Sequence, residues 1–158
     1  MSNPSSSLQH EIHQSVPFAS KSEEAILALW RTADRLRANI NAVLDPFGIT
    51  GQQYNVLRIL RGAEPEGLPT LAIAERMIEQ SPGITRMVDR LERKGWVCRE
   101  RRSEDRRCVI CRVTPEGLQL MQRLDEHVRG ADDALTFLGA ATLDELIATL
   151  ERIRERLA

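Results

Sequence analysis

The sequence predicts a mainly α-helical domain with one small β-hairpin, and three observations predict it. Aromatic residues make up only 4% of 158 residues, while Leu, Ile, Val and Ala supply the apolar content, a balance that favours packed helices over a β-sandwich. Apolar residues recur at three- and four-residue steps along most of the chain beyond residue 20. That period gives way to alternation only between Trp96 and Val113. With 42% hydrophobic residues, the chain has apolar material for one ordinary domain rather than for a multidomain enzyme.

Residues 1–19, rich in Ser, Asn, Pro, Gln and His, show no apolar period and are expected as a mobile tail; residues 20–158 are expected as a single domain with a compact head at about 50–114. His10 and His13 in the tail are read as solvated rather than as metal ligands, and no cofactor is expected. Ser20 and Glu23 form a capping box that opens a long amphipathic helix bearing Ile26, Leu29, Ala33, Leu36, Ile40 and Val43. It ends at Asp45-Pro46-Phe47-Gly48, where Pro and Gly interrupt propagation. Thr50 and Gln53 form a second capping box for a helix with Tyr54, Val56, Leu57 and Leu60, which stops at Gly62 before the loop Glu64-Pro65-Glu66-Gly67.

Thr70 is expected to cap a short helix bearing Leu71, Ile73, Ala74 and Met77. Ser81-Pro82 then supplies an N-cap and an N1 proline for a helix whose apolar positions are Ile84, Met87, Val88 and Leu91, and Gly95 ends it. Residues 96–101 and 108–113 alternate and are β-prone, and they flank the charged connection Arg102-Ser103-Glu104-Asp105-Arg106-Arg107, giving a hairpin with a basic tip. Thr114-Pro115 caps a helix with Leu118, Met121, Leu124 and Val128, and Thr142 with Glu145 caps a last helix bearing Leu143, Leu146, Ile147, Leu150, Ile153 and Leu157. Two short helices joined by a tight turn and followed by a hairpin make a winged helix-turn-helix, here flanked by N- and C-terminal helices.

Overall charge is balanced, 22 basic against 23 acidic residues, but its distribution is not. Residues 86–112 hold ten basic side chains against five acidic ones, so this window carries +5 and the remainder −6. A basic patch on an otherwise acidic chain is the electrostatic footprint of a phosphate backbone and points to double-stranded DNA. A winged-helix protein-interaction module, the rival use of this fold, has no need of that segregation. Enzymatic chemistry is not expected: there is no Gly-rich phosphate loop, no Gly-x-Ser-x-Gly elbow and no His-Glu-x-x-His, and His127 is the only histidine beyond the tail. Met1-Ser2-Asn3-Pro4 does not open a secretory signal, and no run approaches the about 20 apolar residues of a membrane span, so a cytoplasmic protein without membrane contact is expected. Cys98, Cys108 and Cys111, an odd number within one short window, fit a reducing compartment.

At 100° per residue, Met87, Val88 and Leu91 fall within about 60° of Ile84, while Pro82, Arg86, Asp89 and Arg93 face away. The outward residues nearest the helix N-terminus are those that enter a major groove, so Ser81, Pro82, Thr85 and Arg86 are the expected base readers, with Arg90 beside them. The alternative is that Arg86 and Arg90 are solvated or paired with Asp89 and Glu92. Arg101, Arg102 and Arg106 are expected as phosphate contacts. The terminal helices carry apolar stripes, with Ile26 and Leu29 in the first and Ile153 and Leu157 in the last, that a small head cannot cover alone. They are expected to form a homodimer interface, which matches a pseudo-palindromic operator.

Four stretches carry a family resemblance: Leu44-Asp45-Pro46-Phe47-Gly48-Ile49-Thr50 leading to Tyr54-Asn55-Val56-Leu57; the segment from Thr85 through Asp89-Arg90-Leu91-Glu92-Arg93-Lys94-Gly95-Trp96-Val97; Asp105-Arg106-Arg107; and Val113-Thr114-Pro115-Glu116-Gly117. In order and spacing they make residues 22–158 closely resemble the MarR (multiple antibiotic resistance regulator) family of bacterial transcription factors. The resemblance implies a homodimeric winged helix that usually represses transcription and is released from DNA by a small molecule or by oxidation. The family's Asp-any-Arg pattern falls on Asp105 and Arg107, which implies that Arg107 enters a minor groove while Asp105 orients it.

Family effectors commonly occupy the cleft between the dimerising helices and the head. Trp30, Phe47 and Tyr54, with Arg31 and Arg58, are the residues here that suit a small aromatic carboxylate or phenolate, unless the aromatics simply pack the core and the arginines are solvated. The family's thiol-based sensors carry the reactive cysteine in the first long helix, which has none here, so redox sensing by the wing cysteines is the lesser alternative. Cys98 would face Cys111 only if the wing paired Arg102 with Arg107, and a register one residue away removes that bridge.

Overall fold

A computed structural model of the chain describes residues 7–79, 83–101 and 109–157. The chain divides into two compact units, residues 1–42 and 43–158. The first holds α1 (Ser7–Glu11) and most of α2 (Lys21–Leu44). Helix α1 lies within the segment 1–19, which shows no apolar period. An ion-pair cluster stands in for the missing apolar period: Glu11 Oε1 lies 2.6 Å from Arg31 Nε and 2.7 Å from Arg35 Nη2. The hydrogen bond from Arg31 is the largest influence holding the Glu11 carboxyl below the usual carboxylate range. At the start of α2, Ser20 Oγ accepts from Glu23 N at 3.1 Å, but the Glu23 carboxylate takes the Ala19 N–H at 2.6 Å, so the capping box is offset by one residue.

The second unit begins with the last two residues of α2, followed by a 3-10 turn, Asp45–Phe47, closed by Gly48 at φ 67°. Helix α3 (Gly51–Arg61) carries the expected capping box, with Gln53 N donating to Thr50 Oγ1 at 3.3 Å and Thr50 N to Gln53 Oε1 at 3.2 Å, and Gly62 caps its end. There follow β1 (Leu68–Pro69), α4 (Thr70–Arg76), α5 (Ile84–Arg93), β2 (Val97–Arg101), β3 (Val109–Val113), α6 (Pro115–Asp132), a 3-10 stretch Asp133–Leu138 and α7 (Ala140–Leu157). The fold is the expected mainly helical winged helix with a small sheet.

Three helix starts differ from expectation. Thr70 is the first residue of α4 rather than its cap; Pro69 precedes it with extended backbone, and the Thr70 hydroxyl lies 3.7 Å from Cys111 Sγ. Helix α5 begins at Ile84, because Gly83 at φ −104° and ψ 18° stands outside the helical well; Ser81 and Pro82, the expected cap and first residue, lie outside the described residues. Helix α7 starts at Ala140 instead of Thr142, since Gly139 at φ 76° ends the 3-10 stretch and its carbonyl accepts from Leu143 N at 3.1 Å.

The sheet has the antiparallel order β1-β3-β2. Strand β1 was not expected, because two residues carry no alternation to read. It pairs Leu68 with Cys111 and Pro69 with Ile110, and Gly67 allows the approach: at φ +67° a Cβ there would sit 2.6 Å from the Cys111 carbonyl oxygen. Beneath the sheet, Val56, Leu57, Leu60, Ile73, Val88 and Leu91 are wholly buried, and Leu120, Met121 and Leu124 bury the inner stripe of α6.

One threonine ties the wing to α5 and α6. Thr114 N donates to the Trp96 carbonyl at 3.0 Å, its hydroxyl donates to the Gly95 carbonyl at 2.6 Å, and its oxygen accepts from Gly117 N at 3.1 Å. Gly117 makes the junction possible, since a Cβ there would lie 2.3 Å from the Trp96 carbonyl oxygen and 2.8 Å from Val113 Cγ2. Gly117→Ala should therefore lower stability by about 1–3 kcal/mol through overpacking, measured by urea unfolding; an unchanged midpoint would show that α6 shifts without cost.

Candidate nucleic-acid interface

Helix α5 has ten residues, too few for a helix to persist alone in water. Its stability comes from one seam: Met87 is 8% exposed and Val88 and Leu91 are fully buried. Burying each of these side chains contributes about 1.5–3 kcal/mol. Thr85, Arg86, Arg90 and Arg93 stand exposed on the rest of the helix. Because α5 starts at Ile84, Thr85 and Arg86 belong to its first turn, where a recognition helix meets base edges.

Side chains from other elements hold both ends. The turn before α5 is fixed from α3, where the buried Asn55 accepts Ile78 N through Oδ1 at 3.2 Å and Gln52 Nε2 donates to Glu79 Oε2 at 3.0 Å. Sequence reading missed Asn55, although a polar residue on the apolar stripe of a helix is its visible signal. At the other end, Gly95 at φ 73° reverses the chain and Trp96 N donates to Leu91 O at 3.0 Å. Lys94 donates through Nζ to the Gly48 carbonyl and lies 4.7 Å from the centre of the Trp96 ring, so this cation is committed to the fold.

The acidic residues of α5 are drawn towards the wing. Arg99 on β2 places Nη2 2.7 Å from Asp89 Oδ1 and Nη1 2.7 Å from Glu92 Oε2. Burial alone would lower the pKa of that guanidinium, but the two carboxylates outweigh it and hold the value above that of an ordinary arginine. Of the alternative open from sequence, that Arg86 and Arg90 are solvated or paired with Asp89 and Glu92, the pairing is absent: among the described residues the Arg86 and Arg90 side chains make no ion pair or hydrogen bond. Arg93 Nε approaches the Asp89 carbonyl at 3.4 Å. Arg101 is exposed at the end of β2, and Arg102, Asp105, Arg106 and Arg107 lie outside the described residues. On the neighbouring strand, Arg112 Nε is 3.2 Å from Glu100 Oε2, but without hydrogen-bonding geometry.

The wing register decides one cysteine question. Cys98 pairs with Arg112 and Arg99 with Cys111, so the two thiols point to opposite faces and the conceivable Cys98–Cys111 bridge is removed. Cys111 is fully buried, and burial, reinforced by Glu100, pushes the Cys98 thiol above its ordinary pKa, which disfavours the reactive thiolate. Cys108 lies outside the described residues.

The remaining expected site residues are divided between the two units. Trp30, 68% exposed, and Arg31, engaged by Glu11, belong to the first unit; Phe47, Tyr54 and Arg58 belong to the second. Tyr54 is buried on α3, Arg58 is exposed, and Phe47 meets His127 edge-on with ring centres 5.1 Å apart. His127 Nδ1 is 3.0 Å from the Arg123 carbonyl. Of the expected interface residues, Ile26, Leu29, Ile153 and Leu157 are all exposed in the single chain. Among the described residues, no helix is long and apolar enough to cross a membrane and no cluster of three or more His, Cys, Asp or Glu could hold a metal ion.

Comparison with known proteins places this geometry among relatives. The MarR family model matches residues 49–109, which take in α3 through the start of β3. The chain is 30% identical over 146 residues to the HTH-type transcriptional regulator FarR of Neisseria gonorrhoeae, covering 90% of this chain and 99% of that one. It is 44% identical to the crystal structure of a MarR transcription factor from Planctomyces limnophilus, with a TM-score of 0.65 and coverage of 85% and 98% of the two chains. It is also similar to CouR from Rhodococcus jostii RHA1, solved bound to p-coumaroyl-CoA, with 27% identity, a TM-score of 0.71 and coverage of 86% and 95%.

Proposed function

The chain belongs to the MarR family of DNA-binding transcriptional regulators, and from that premise we propose that it is a homodimeric repressor released from its operator by a small aromatic acid or an ester of one. The observation that carries the DNA-reading part is the outer face of α5, where Thr85, Arg86 and Arg90 are exposed and the adjacent carboxylates are occupied by Arg99. In this reading Arg86 takes guanine O6 and N7 in the major groove, and Thr85 and Pro82 meet thymine methyls, with Ser81 beside them. Arg90, Arg101, Arg102 and Arg106 hold phosphates, and Arg107, oriented by Asp105, enters the flanking minor groove.

The dimer reading is supported by apolar side chains that the single chain leaves exposed: Ile26 at 45%, Leu29 at 37%, Ile153 at 36% and Leu157 at 81%. Helix α7 buries none of its described residues, as expected of a surface awaiting a second copy. The experiment is a salt titration of binding to a pseudo-palindromic duplex selected from random DNA. Two chains should bind per duplex, and affinity should fall by about 10³-fold between 50 and 200 mM salt when six or more phosphates are contacted. Arg107→Ala should flatten any preference for flanking A·T pairs. A salt slope near zero, or selection of no pseudo-palindrome, would contradict the reading.

Release by an aromatic acid is supported by the ligand of the similar CouR structure and by the exposed indole of Trp30 on α2. Titrating the protein–duplex complex with salicylate, benzoate and p-coumaroyl-CoA should release DNA with at least one of them. Trp30→Ala should bind DNA normally and lose that response. No release across the panel would contradict aromatic-acid control.

A further inference from the structure

We infer that Arg99 is a positioning residue for DNA recognition: it holds Asp89 and Glu92 on the wing side of α5 and so keeps Arg86 available to DNA. The inference rests on the reading that the outer face of α5 meets DNA.

The sequence of α5 creates a conflict that Arg99 resolves. Three arginines, Arg86, Arg90 and Arg93, share a ten-residue helix with two acids. Asp89 stands three residues from Arg86 and four from Arg93, the spacings at which helical neighbours pair. Left to itself, Asp89 would neutralise one of these two arginines, and both carboxylates would add repulsion against phosphates. Arg99 comes from a different element, and its guanidinium contacts Asp89 and Glu92 through separate nitrogens at 2.7 Å each. Nη2 also lies 3.4 Å from the Thr85 carbonyl. Residues 85, 89 and 92 follow one stripe of the helix, so a single planar fork spans two turns along the edge facing the wing. The Arg99 side chain is only 22% exposed, against 47% and 40% for its two partners, so the cation is the sheltered member of the cluster. A side chain so placed is poorly disposed to be a phosphate contact itself.

The test measures affinity and salt slope for the wild type, Arg99→Gln, Asp89→Asn/Glu92→Gln and the triple variant carrying all three changes, on the selected pseudo-palindromic duplex. Arg99→Gln should bind about tenfold more weakly, a difference of about 1.4 kcal/mol. Its salt slope should be shallower by about one unit, because a freed Asp89 captures an arginine that would otherwise release a counterion. The Asp89→Asn/Glu92→Gln protein should stay within about threefold of wild type, since its carboxylates are already neutralised, and the triple variant should recover to the same level. Recovery in the triple variant excludes a direct phosphate contact by Arg99, and the shallower salt slope of Arg99→Gln excludes a purely structural role, which would leave the slope unchanged. A triple variant as weak as Arg99→Gln, or an Arg99→Gln protein that binds like wild type, would overturn the inference.

Two further variants separate the possible failures. Arg99→Lys keeps the charge but engages one carboxylate at a time, so it should bind more weakly than wild type, a result that can be read even if Arg99→Gln does not fold; wild-type affinity in Arg99→Lys would contradict the two-carboxylate bridge. Arg86→Ala/Arg90→Ala tests the underlying reading alone: unchanged affinity there would remove DNA from this face of α5, whereas weakened binding there with an unaffected Arg99→Gln would overturn only the role of Arg99.

Discussion

The seam of Met87, Val88 and Leu91 is what seats a ten-residue helix on the head, and the rest of the head is arranged around keeping it there. A helix this short gains too little from its own hydrogen bonds, so burial along one stripe and fixation of both ends must supply its stability. Confining burial to that stripe leaves the remaining surface free to carry charge. The contacts at the ends follow from the same requirement. Asn55 holds the turn before the helix, while Gly95, Lys94 and Thr114 hold the exit, and Gly117 lets α6 close on the Trp96 backbone without a clash.

Electrostatic segregation operates on two scales. Across the chain, residues 86–112 carry the excess positive charge and the remainder is acidic, which directs association towards one face. Within α5, Arg99 separates acids from bases on a helix that contains both. Not every cation counted in the basic window is available for DNA. Lys94 is spent on a carbonyl and an aromatic ring, Arg99 on two carboxylates, and Arg112 lies against Glu100. The count of basic residues therefore overstates the positive surface, and the exposed arginines of α5 and the end of β2 matter more than the total.

Much of this architecture is legible in the sequence because its signals are local. The capping box at Thr50, the Thr114-Pro115 cap, the stop at Gly62 and the inner stripe of α5 each lie within one or two helical turns, and the structure places them as read. Features that depend on distant partners are not legible in the same way. Strand β1 is defined by its pairing with β3 rather than by any pattern of its own two residues, and α1 accompanies a charge cluster with Arg31 and Arg35 rather than an apolar period. Arg99 was visible only as one more basic residue, because its partners lie on another element and the wing register fixes which side of the strand it occupies. The same register, shifted by one residue from the pairing that would align the cysteines, separates Cys98 from Cys111.

The central claim is that the outer face of α5 reads a major groove through Arg86. Guanine-N7 methylation interference tests it directly, because a methyl at N7 blocks the bidentate arginine contact while leaving phosphates and minor groove intact. On the selected duplex, methylation of a guanine in each half-site should prevent binding by the wild type, and the same methylations should have no further effect on Arg86→Ala. Interference that is absent in the wild type, or identical in the two proteins, would contradict the claim.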